Sequence, residues 1–269
     1  MKRVVFMILT AKFNGREADY LKFGTGSKPL VILPGLSLPN VLRSAQAIES
    51  AYSVFTKEYT VYLFDRIKFP PDNYTLTEMA EDTAQSIKSA GIENACLFGA
   101  SQGGMLALLV AARHPELVAK LVAGSTAARS SDGLYRVIHR WVNLAEEKNI
   151  PDLAGDIAQK VFSPSTLKTA QDFIVAFNSD VTAEEVEKFA VLAKACLDFD
   201  FRAELKKITC PVLIIGCEGD AVMSDSRSSP AIAEEIGTAD LYMFDSRYGH
   251  AVYDEAPGYK KMLLDFFSR

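Results

Sequence analysis

Apolar segments of four to six residues alternate with longer helical segments between residues 29 and 125, and this alternation limits the possible folds more than any other feature. The strands predicted in this region cover residues 29–33, 59–64, 95–98 and 118–123. The helices predicted between them cover residues 40–56, 77–90 and 102–113. Because strands that alternate with helices form a parallel sheet with crossover helices, we expect an α/β fold with helices on both faces of a mostly parallel sheet.

The alternation stops after residue 127 and returns near residue 206. Residues 128–205 show helical periodicity and no convincing strand. The elements predicted after them are two strands and two helices, over residues 211–216, 240–244, 230–236 and 255–267. Because connections do not thread through a sheet, such an insertion must lie over one edge of it. We therefore expect a core domain of residues 1–127 and 206–269 and an all-helical cap domain of residues 128–205.

The beginning of the chain has two interpretations. Residues 4–9 are apolar and follow Lys2 and Arg3, which also fits a short signal peptide, but no clear small-x-small cleavage site comes after them. Asn14-Gly15 then precedes a second strand over residues 17–23, and this dipeptide favours a type I′ hairpin turn. We therefore predict a β-hairpin.

Composition and charge exclude several classes of protein. The 269 residues are 49% hydrophobic and 23% charged, which is typical of a globular domain. A net charge of -5 disfavours binding to nucleic acid, because phosphate backbones are also negative. No apolar run approaches the roughly 18 residues that a membrane-spanning helix needs.

The cysteines and histidines give no metal or disulfide pattern. Four cysteines, at positions 96, 196, 210 and 217, form no C-x-x-C pair, and the three histidines are not at metal-ligand spacing from them. We therefore expect no metal and no disulfide framework, and a reducing cytoplasm is the simplest location. No cofactor motif is present, so we expect no cofactor.

A Gly-x-Ser-x-Gly pattern at residues 99–103 carries the main functional signal. A short apolar strand runs into it and an apolar helix runs out of it, so Ser101 is predicted to lie on a sharp strand-to-helix turn. Such a turn raises the serine hydroxyl above the sheet edge and directs the helix N-terminus at the same point. The pattern by itself is weak, and the strand and helix around it give it weight.

A serine hydroxyl needs a base to become a nucleophile, and an acid to orient that base. His114 lies at the far end of the helix that leaves the serine, and His139 lies in the helical insertion. His250 follows the last strand and is therefore our candidate base. Asp220 follows the strand over residues 211–216 and is our candidate acid, with Glu218 and Asp225 as its nearest rivals.

The oxyanion formed by serine attack requires two positioned donors. The backbone N–H of Gln102, directly after the serine, is the first candidate. The second should come from the loop after residues 29–33, where Pro34-Gly35 precedes Leu36. We expect the Leu36 N–H to serve, although Pro34-Gly35 could equally form a simple turn.

With these residues the sequence resembles the α/β-hydrolase fold superfamily, in the subgroup with a helical cap inserted after the sixth strand. The resemblance rests on the run from Gly99 to Gly104, on Gly216-x-x-x-Asp220 and on Gly249-His250. Two departures stand out. Pro34-Gly35 replaces the family's common His-Gly, and Asp65-Arg66 continues as residues 67–71 (Ile-Lys-Phe-Pro-Pro) instead of a glycine-rich turn. The second departure predicts a differently shaped pocket wall.

The resemblance implies a serine hydrolase that cleaves a carboxylic ester or related acyl compound through an acyl-enzyme. Aromatic residues of the cap predict an apolar acyl pocket: Trp141, Phe162, Phe173, Phe177 and Phe189. The same aromatics could simply pack the cap on the core. Lactone, thioester and carbon–carbon bond hydrolysis, acyl transfer, and a non-catalytic small-molecule receptor remain alternatives. The expected partner is a small apolar acyl substrate, and the oligomeric state is open.

Overall fold

A computed structural model describes residues 6–269 and contains one eight-stranded sheet. The strands are β1 (Met7–Phe13), β2 (Arg16–Phe23), β3 (Lys28–Leu33), β4 (Tyr59–Ile67), β5 (Ala95–Ala100), β6 (Val118–Gly124), β7 (Val212–Cys217) and β8 (Asp240–Phe244). Their order across the sheet is β1-β2-β4-β3-β5-β6-β7-β8. The pairs from β4 to β8 are parallel, and the β1–β2 and β2–β4 pairs are antiparallel. The predicted mostly parallel sheet is confirmed.

The predicted hairpin forms between β1 and β2. Asn14 and Gly15 have φ angles of 46° and 75°, which are the two positive values that a type I′ turn requires. The strand predicted over residues 4–9 begins at Met7 within the described residues, and its first two positions lie outside them.

Helices cover both faces of the sheet. Apart from four helices described below, the helices are α1 (Ala45–Ala51), α2 (Leu76–Ser89), α3 (Gln102–Arg113), α8 (Arg202–Leu205), α9 (Ser228–Ile236), α10 (Val252–Glu255) and α11 (Tyr259–Ser268). Strand residues alternate between the two layers: Val31 and Leu33 pack in the layer with α2 and α3, while Leu30 and Ile32 pack in the layer with α11. Both faces of the sheet are therefore buried, as parallel sheets require.

Between β6 and β7 the chain forms α8 and, before it, four longer helices. They are α4 (Asp132–Glu146), α5 (Ile150–Val161), α6 (Pro164–Ser179) and α7 (Ala183–Lys194). α4 packs against α5 and α7, and α5 packs against α6. Trp141 and Phe189 of this helical insertion belong to the same buried layer as Met105 of α3. The insertion therefore packs on the layer of the core that contains α3.

Two of the predicted helices are wrong in detail. Residues 40–56 form two short 3-10 turns around α1 rather than one continuous helix. The closing helix predicted over residues 255–267 begins only at Tyr259, and α10 forms a separate turn before it. Pro257 causes this break, because a residue before proline avoids the helical region and Ala256 has a ψ of 118°.

No helix within residues 6–269 has both the length and the apolar character that crossing a membrane would need.

Candidate active site

Ser101 occupies a strained turn between β5 and α3. Its φ of 55° and ψ of -125° belong to a region that residues with side chains rarely adopt, at a cost of about 1–3 kcal/mol. Two glycines make the turn possible. A Cβ on Gly99 would lie 2.2 Å from the Gly103 carbonyl oxygen, and a Cβ on Gly103 would lie 2.0 Å from that of Leu33.

Hydrogen bonds hold the backbone of Ser101 on both sides. Its N–H donates to the Gly124 carbonyl oxygen at 2.9 Å, which continues the pairing of β5 with β6. Its carbonyl oxygen accepts from Thr126 Oγ1 at 2.8 Å and from the Gly104 N–H at 2.9 Å. The strained conformation is therefore fixed by the fold around it.

Asp220 and His250 form a buried pair at the same sheet edge. His250 Nδ1 lies 2.8 Å from Asp220 Oδ2 and 2.9 Å from Oδ1, and the two side chains are 4% and 6% exposed. Asp220 Oδ1 also accepts from the N–H groups of Val222 and Met223, at 3.0 and 2.9 Å. The carboxylate is thus fixed by the turn that contains it, and it faces the Nδ1 side of the imidazole.

The rival residues have other partners. Asp225 accepts from the Arg227 N–H at 2.9 Å, and Glu218 is exposed. His114 Nε2 lies 2.9 Å from Glu81 Oε2, and the His139 ring stacks on Tyr135. The structure therefore brings Asp220 and His250 together, and places these alternatives elsewhere.

Ser101 and His250 line one small cavity of about 40 Å³, together with Leu36 and Gln102. The loop that carries Leu36 approaches Ser101 closely, since a Cβ on Gly35 would lie 3.1 Å from Ser101 Cβ. Within residues 6–269 the Ser101 hydroxyl forms no hydrogen bond with the imidazole. Such bonds are often long in the absence of substrate and shorten when substrate is bound.

Only two of the five predicted pocket aromatics reach this cavity. Trp141 and Phe189 line it, whereas Phe162, Phe173 and Phe177 do not. Phe173 is 73% exposed and stacks on the half-buried Phe177 of α6, so the structure places these two residues away from the cavity. Helical spacing identifies residues on one face of a helix, but it does not identify the surface that this face meets.

Several cavity residues were missed by the sequence analysis. The aliphatic and sulfur-containing walls come from Met105, Leu134, Ile138, Ile157, Val161, Cys196, Val222 and Met223, and Tyr253 completes them. Burial raises the pKa of the Cys196 thiol to about 11, so this group is a neutral part of the wall at pH 7. Leu134, Ile138, Ile157 and Val161 lie in the region of helical periodicity, but nothing in the sequence distinguished cavity walls from packed core.

Glu255 joins the histidine loop to the helical insertion. One of its oxygens accepts from the Gly249 N–H at 3.1 Å, directly before His250. The other accepts from the N–H and the hydroxyl of Ser163, both at 2.9 Å. The Ala251 N–H donates to the Val161 carbonyl oxygen at 2.8 Å. Both neighbours of the histidine are therefore linked to the end of α5 and the residues that follow it, Ala251 directly and Gly249 through Glu255.

No cluster of three or more metal-ligating side chains occurs in the described part of the chain.

These features define a parallel α/β protein with a serine at a strand-to-helix turn and a carboxylate–imidazole pair at the same sheet edge. The chain belongs to the α/β hydrolase fold family, whose model matches residues 28–257.

Three relatives illustrate the similarity. The chain is 23% identical over 209 residues to 3-oxoadipate enol-lactonase 2 of Acinetobacter baylyi, covering 76% of each chain. It is 28% identical over 236 residues to RutD of Caulobacter vibrioides, a suggested carbamate hydrolase, covering 84% of this chain and 81% of that protein. The crystal structure of an α/β hydrolase enzyme from a Medee basin deep-sea metagenome library matches with a TM-score of 0.85 and 23% identity, covering 97% of this chain and 98% of the other. The last comparison supports the fold.

Proposed function

We propose that this protein is a serine hydrolase that cleaves an ester or related acyl compound through a covalent acyl-enzyme. The observation that carries the proposal is the position of His250, which is paired with the buried Asp220 and lines one cavity with the strained Ser101. The Asp220 carboxylate faces Nδ1, so the proton of a neutral imidazole lies there and Nε2 is free to accept. This is the arrangement that a general base requires.

In the proposed reaction Ser101 Oγ attacks the substrate carbonyl carbon while His250 Nε2 takes the hydroxyl proton. The backbone N–H groups of Leu36 and Gln102 hold the resulting oxyanion, and the start of α3 adds its partial positive charge. The tetrahedral intermediate then expels the alcohol, which receives the proton from His250. Water attacks the acyl-enzyme with His250 again acting as base, and the carboxylic acid leaves with Ser101 restored.

The dimensions of the cavity favour a short acyl group. A space of about 40 Å³ is small compared with the several hundred Å³ that enclose drug-sized ligands. Trp141, Phe189 and the surrounding aliphatic side chains make most of its wall apolar. We therefore propose that residues 128–205 act as a cap that closes over a short acyl substrate.

The four cysteines fit the reducing cytoplasm that we propose as the location. Each is a free thiol, and Cys96, Cys196 and Cys217 are buried.

A fluorophosphonate probe tests the proposal directly, because it reacts with an activated serine and not with an ordinary hydroxyl. The wild-type protein should be labelled, and Ser101→Ala should lose both labelling and p-nitrophenyl acetate hydrolysis, by roughly six orders of magnitude in turnover. Ser125→Ala is the matched control, since Ser125 is also a buried serine with a positive φ beside the site. A folded protein that is neither labelled nor active would favour a receptor instead. Ester products formed with added alcohols would indicate acyl transfer.

Lactone opening is a second candidate, which the similarity to 3-oxoadipate enol-lactonase 2 favours. The same serine, histidine and aspartate would open a cyclic ester, and the alcohol would then remain attached to the acyl group. Comparing kcat/KM for a series of lactones with that for linear esters of equal carbon number would decide between the two. A preference for the lactones of tenfold or more would favour this candidate.

A further inference from the structure

Arg66, at the end of β4, is a buried cation that the proposed reaction does not use. Its side chain is 5% exposed. Only one of its five N–H bonds has an acceptor within residues 6–269, because Nη2 donates to the Pro34 carbonyl oxygen at 2.7 Å. The buried Nε has no partner in the same part of the chain. This guanidinium therefore retains most of its hydrogen-bonding capacity.

The surroundings of Arg66 do not provide a full counter-charge. Burial lowers the pKa of Arg66, and this effect exceeds the opposing influence of the neighbouring Asp65 carboxylate. Removing a cation from water is unfavourable unless an anion is paired with it. A guanidinium held in this way can bind a carboxylate through two parallel hydrogen bonds.

Arg66 lines a second cavity, of about 50 Å³, beside the one that contains Ser101. The two cavities share four wall residues, which are Gly35, Leu36, Gln102 and Phe189. The second cavity lies between the loop over residues 34–41 and α7. A substrate bound at Ser101 would therefore reach the second cavity by extending past these four shared residues.

The other charged side chains of the second cavity already have partners. Lys188 Nζ lies 2.9 Å from Asp65 Oδ2. Glu185 accepts from the Asn40 N–H at 2.8 Å and forms an ion pair with Arg43. Arg66 is thus the cation in this wall that is available to attract an anion.

We propose that the second cavity receives a carboxylate group of the substrate, which Arg66 binds. The preferred acyl compounds would then carry a carboxylate a few carbon atoms from the carbonyl group that Ser101 attacks. This inference rests on the proposed function. It replaces the expected apolar acyl substrate with an acyl compound that carries one negative charge. The apolar walls of the first cavity would contact the carbon chain between the two groups.

Two p-nitrophenyl esters of equal acyl length test the proposal. The glutarate monoester ends in a carboxylate and the pentanoate ester ends in a methyl group. The wild-type protein should show a kcat/KM at least tenfold higher for the glutarate ester, and the same comparison with succinate and butyrate esters would measure the spacing. Equal kcat/KM values for the two esters, or a preference for the neutral ester, would overturn the proposal.

The variant Arg66→Met should lower the glutarate-to-pentanoate ratio of kcat/KM by about 10- to 100-fold, the range expected when charge-assisted hydrogen bonds are lost. We compare the ratio because Arg66→Met also removes the bond to the Pro34 carbonyl oxygen, and a resulting shift of that loop would change kcat/KM for both esters. Arg227→Met is the control and should leave the ratio unchanged, since Arg227 forms an exposed ion pair with Glu234 and lines neither cavity. An unchanged ratio in a folded Arg66→Met protein would also overturn the proposal. If that variant does not fold, the wild-type preference decides.

If the protein is not a serine hydrolase, the experiments above give a result that differs from loss of the Arg66 site alone. The protein would then hydrolyse neither ester and would not react with the fluorophosphonate. Calorimetric titration with glutarate would still test the carboxylate site, because binding to the wild-type protein and its loss in Arg66→Met require no catalysis. No detectable glutarate binding by the wild-type protein would reject the site in that case.

Discussion

Replacing Asp220 by asparagine should lower kcat about 10⁴-fold while the fold is retained. Asp220 Oδ1 accepts from the N–H groups of Val222 and Met223, and an amide oxygen can take over that role. The amide NH2 group must then occupy the position of Oδ2, which lies 2.8 Å from His250 Nδ1. Two donors cannot face each other, so Nδ1 must become an acceptor and the proton must move to Nε2. The base is then blocked at the nitrogen that should receive the Ser101 proton.

A factor of 10⁴ corresponds to about 5.4 kcal/mol of transition-state stabilisation, since each tenfold change is worth about 1.36 kcal/mol. The assay is hydrolysis of p-nitrophenyl acetate by Asp220→Asn and by Asp225→Asn, whose wild-type carboxylate accepts from the Arg227 N–H. The control should keep activity within about threefold, and both variants should unfold within a few degrees of the wild-type protein. Near-normal activity in Asp220→Asn combined with a large loss in Asp225→Asn would show that the acid is misassigned.

Three further substitutions test the packing, the histidine loop and the electrostatics. Gly103→Ala should lower the free energy of unfolding by about 3 kcal/mol or more, because its Cβ would lie 2.0 Å from a backbone oxygen, whereas Gly155→Ala has open space and should not destabilise. Thermal unfolding of both variants checks this. Glu255→Gln should lower kcat and the rate of fluorophosphonate labelling about tenfold with little change in KM, because the hydrogen bond from the Gly249 N–H is lost. The control Asp254→Asn removes the ion pair with Lys260 and should change neither kcat nor the labelling rate. A hydrogen bond from Arg113 lowers the pKa of Glu204 in the folded protein. The ionised Glu204 therefore contributes about 1 kcal/mol to the free energy of unfolding above pH 4.5, and this contribution is lost as the pH falls through the lowered pKa. Urea unfolding of wild type and Glu204→Gln should therefore give curves that differ at pH 7 and approach each other as the pH is lowered below 4.5.

The sequence predicted those parts of the fold that depend on local chemistry. Residues 99–103 combine a strand, a glycine-flanked serine and an apolar helix, and each part of that pattern has one geometric consequence. Asn14-Gly15 is similar, because two positive φ angles are needed and these residue types accept them. The choice of His250 among three histidines also required only the order of strands and the common edge at which parallel strands end.

Other features depend on contacts between distant residues and could not be read from spacing. Phe173 lies on a helix with helical periodicity, yet α6 packs mainly against α5 and the Phe173 side chain is 73% exposed. Asp65-Arg66 resembles an ordinary polar ending of a strand. Its burial follows from the loop over residues 34–41 and from α7, which is more than 110 residues away in the chain. No local pattern encodes that arrangement.

The hydrogen bonds of Glu255 limit how substitutions can change the substrate preference of this protein. The helical insertion supplies the Trp141 and Phe189 walls of the cavity. It is also linked to both neighbours of His250, through Val161 to Ala251 and through Ser163 and Glu255 to Gly249. A substitution that repacks the insertion to admit a larger acyl group would therefore also displace His250, the proposed base. Because a base must lie within hydrogen-bonding distance of the proton that it removes, such a change in specificity would be accompanied by a loss in kcat unless the Ser163–Glu255 contact is preserved. Substitutions at Met105 and Cys196, which line the cavity outside that segment, should alter acyl preference with a smaller effect on the histidine.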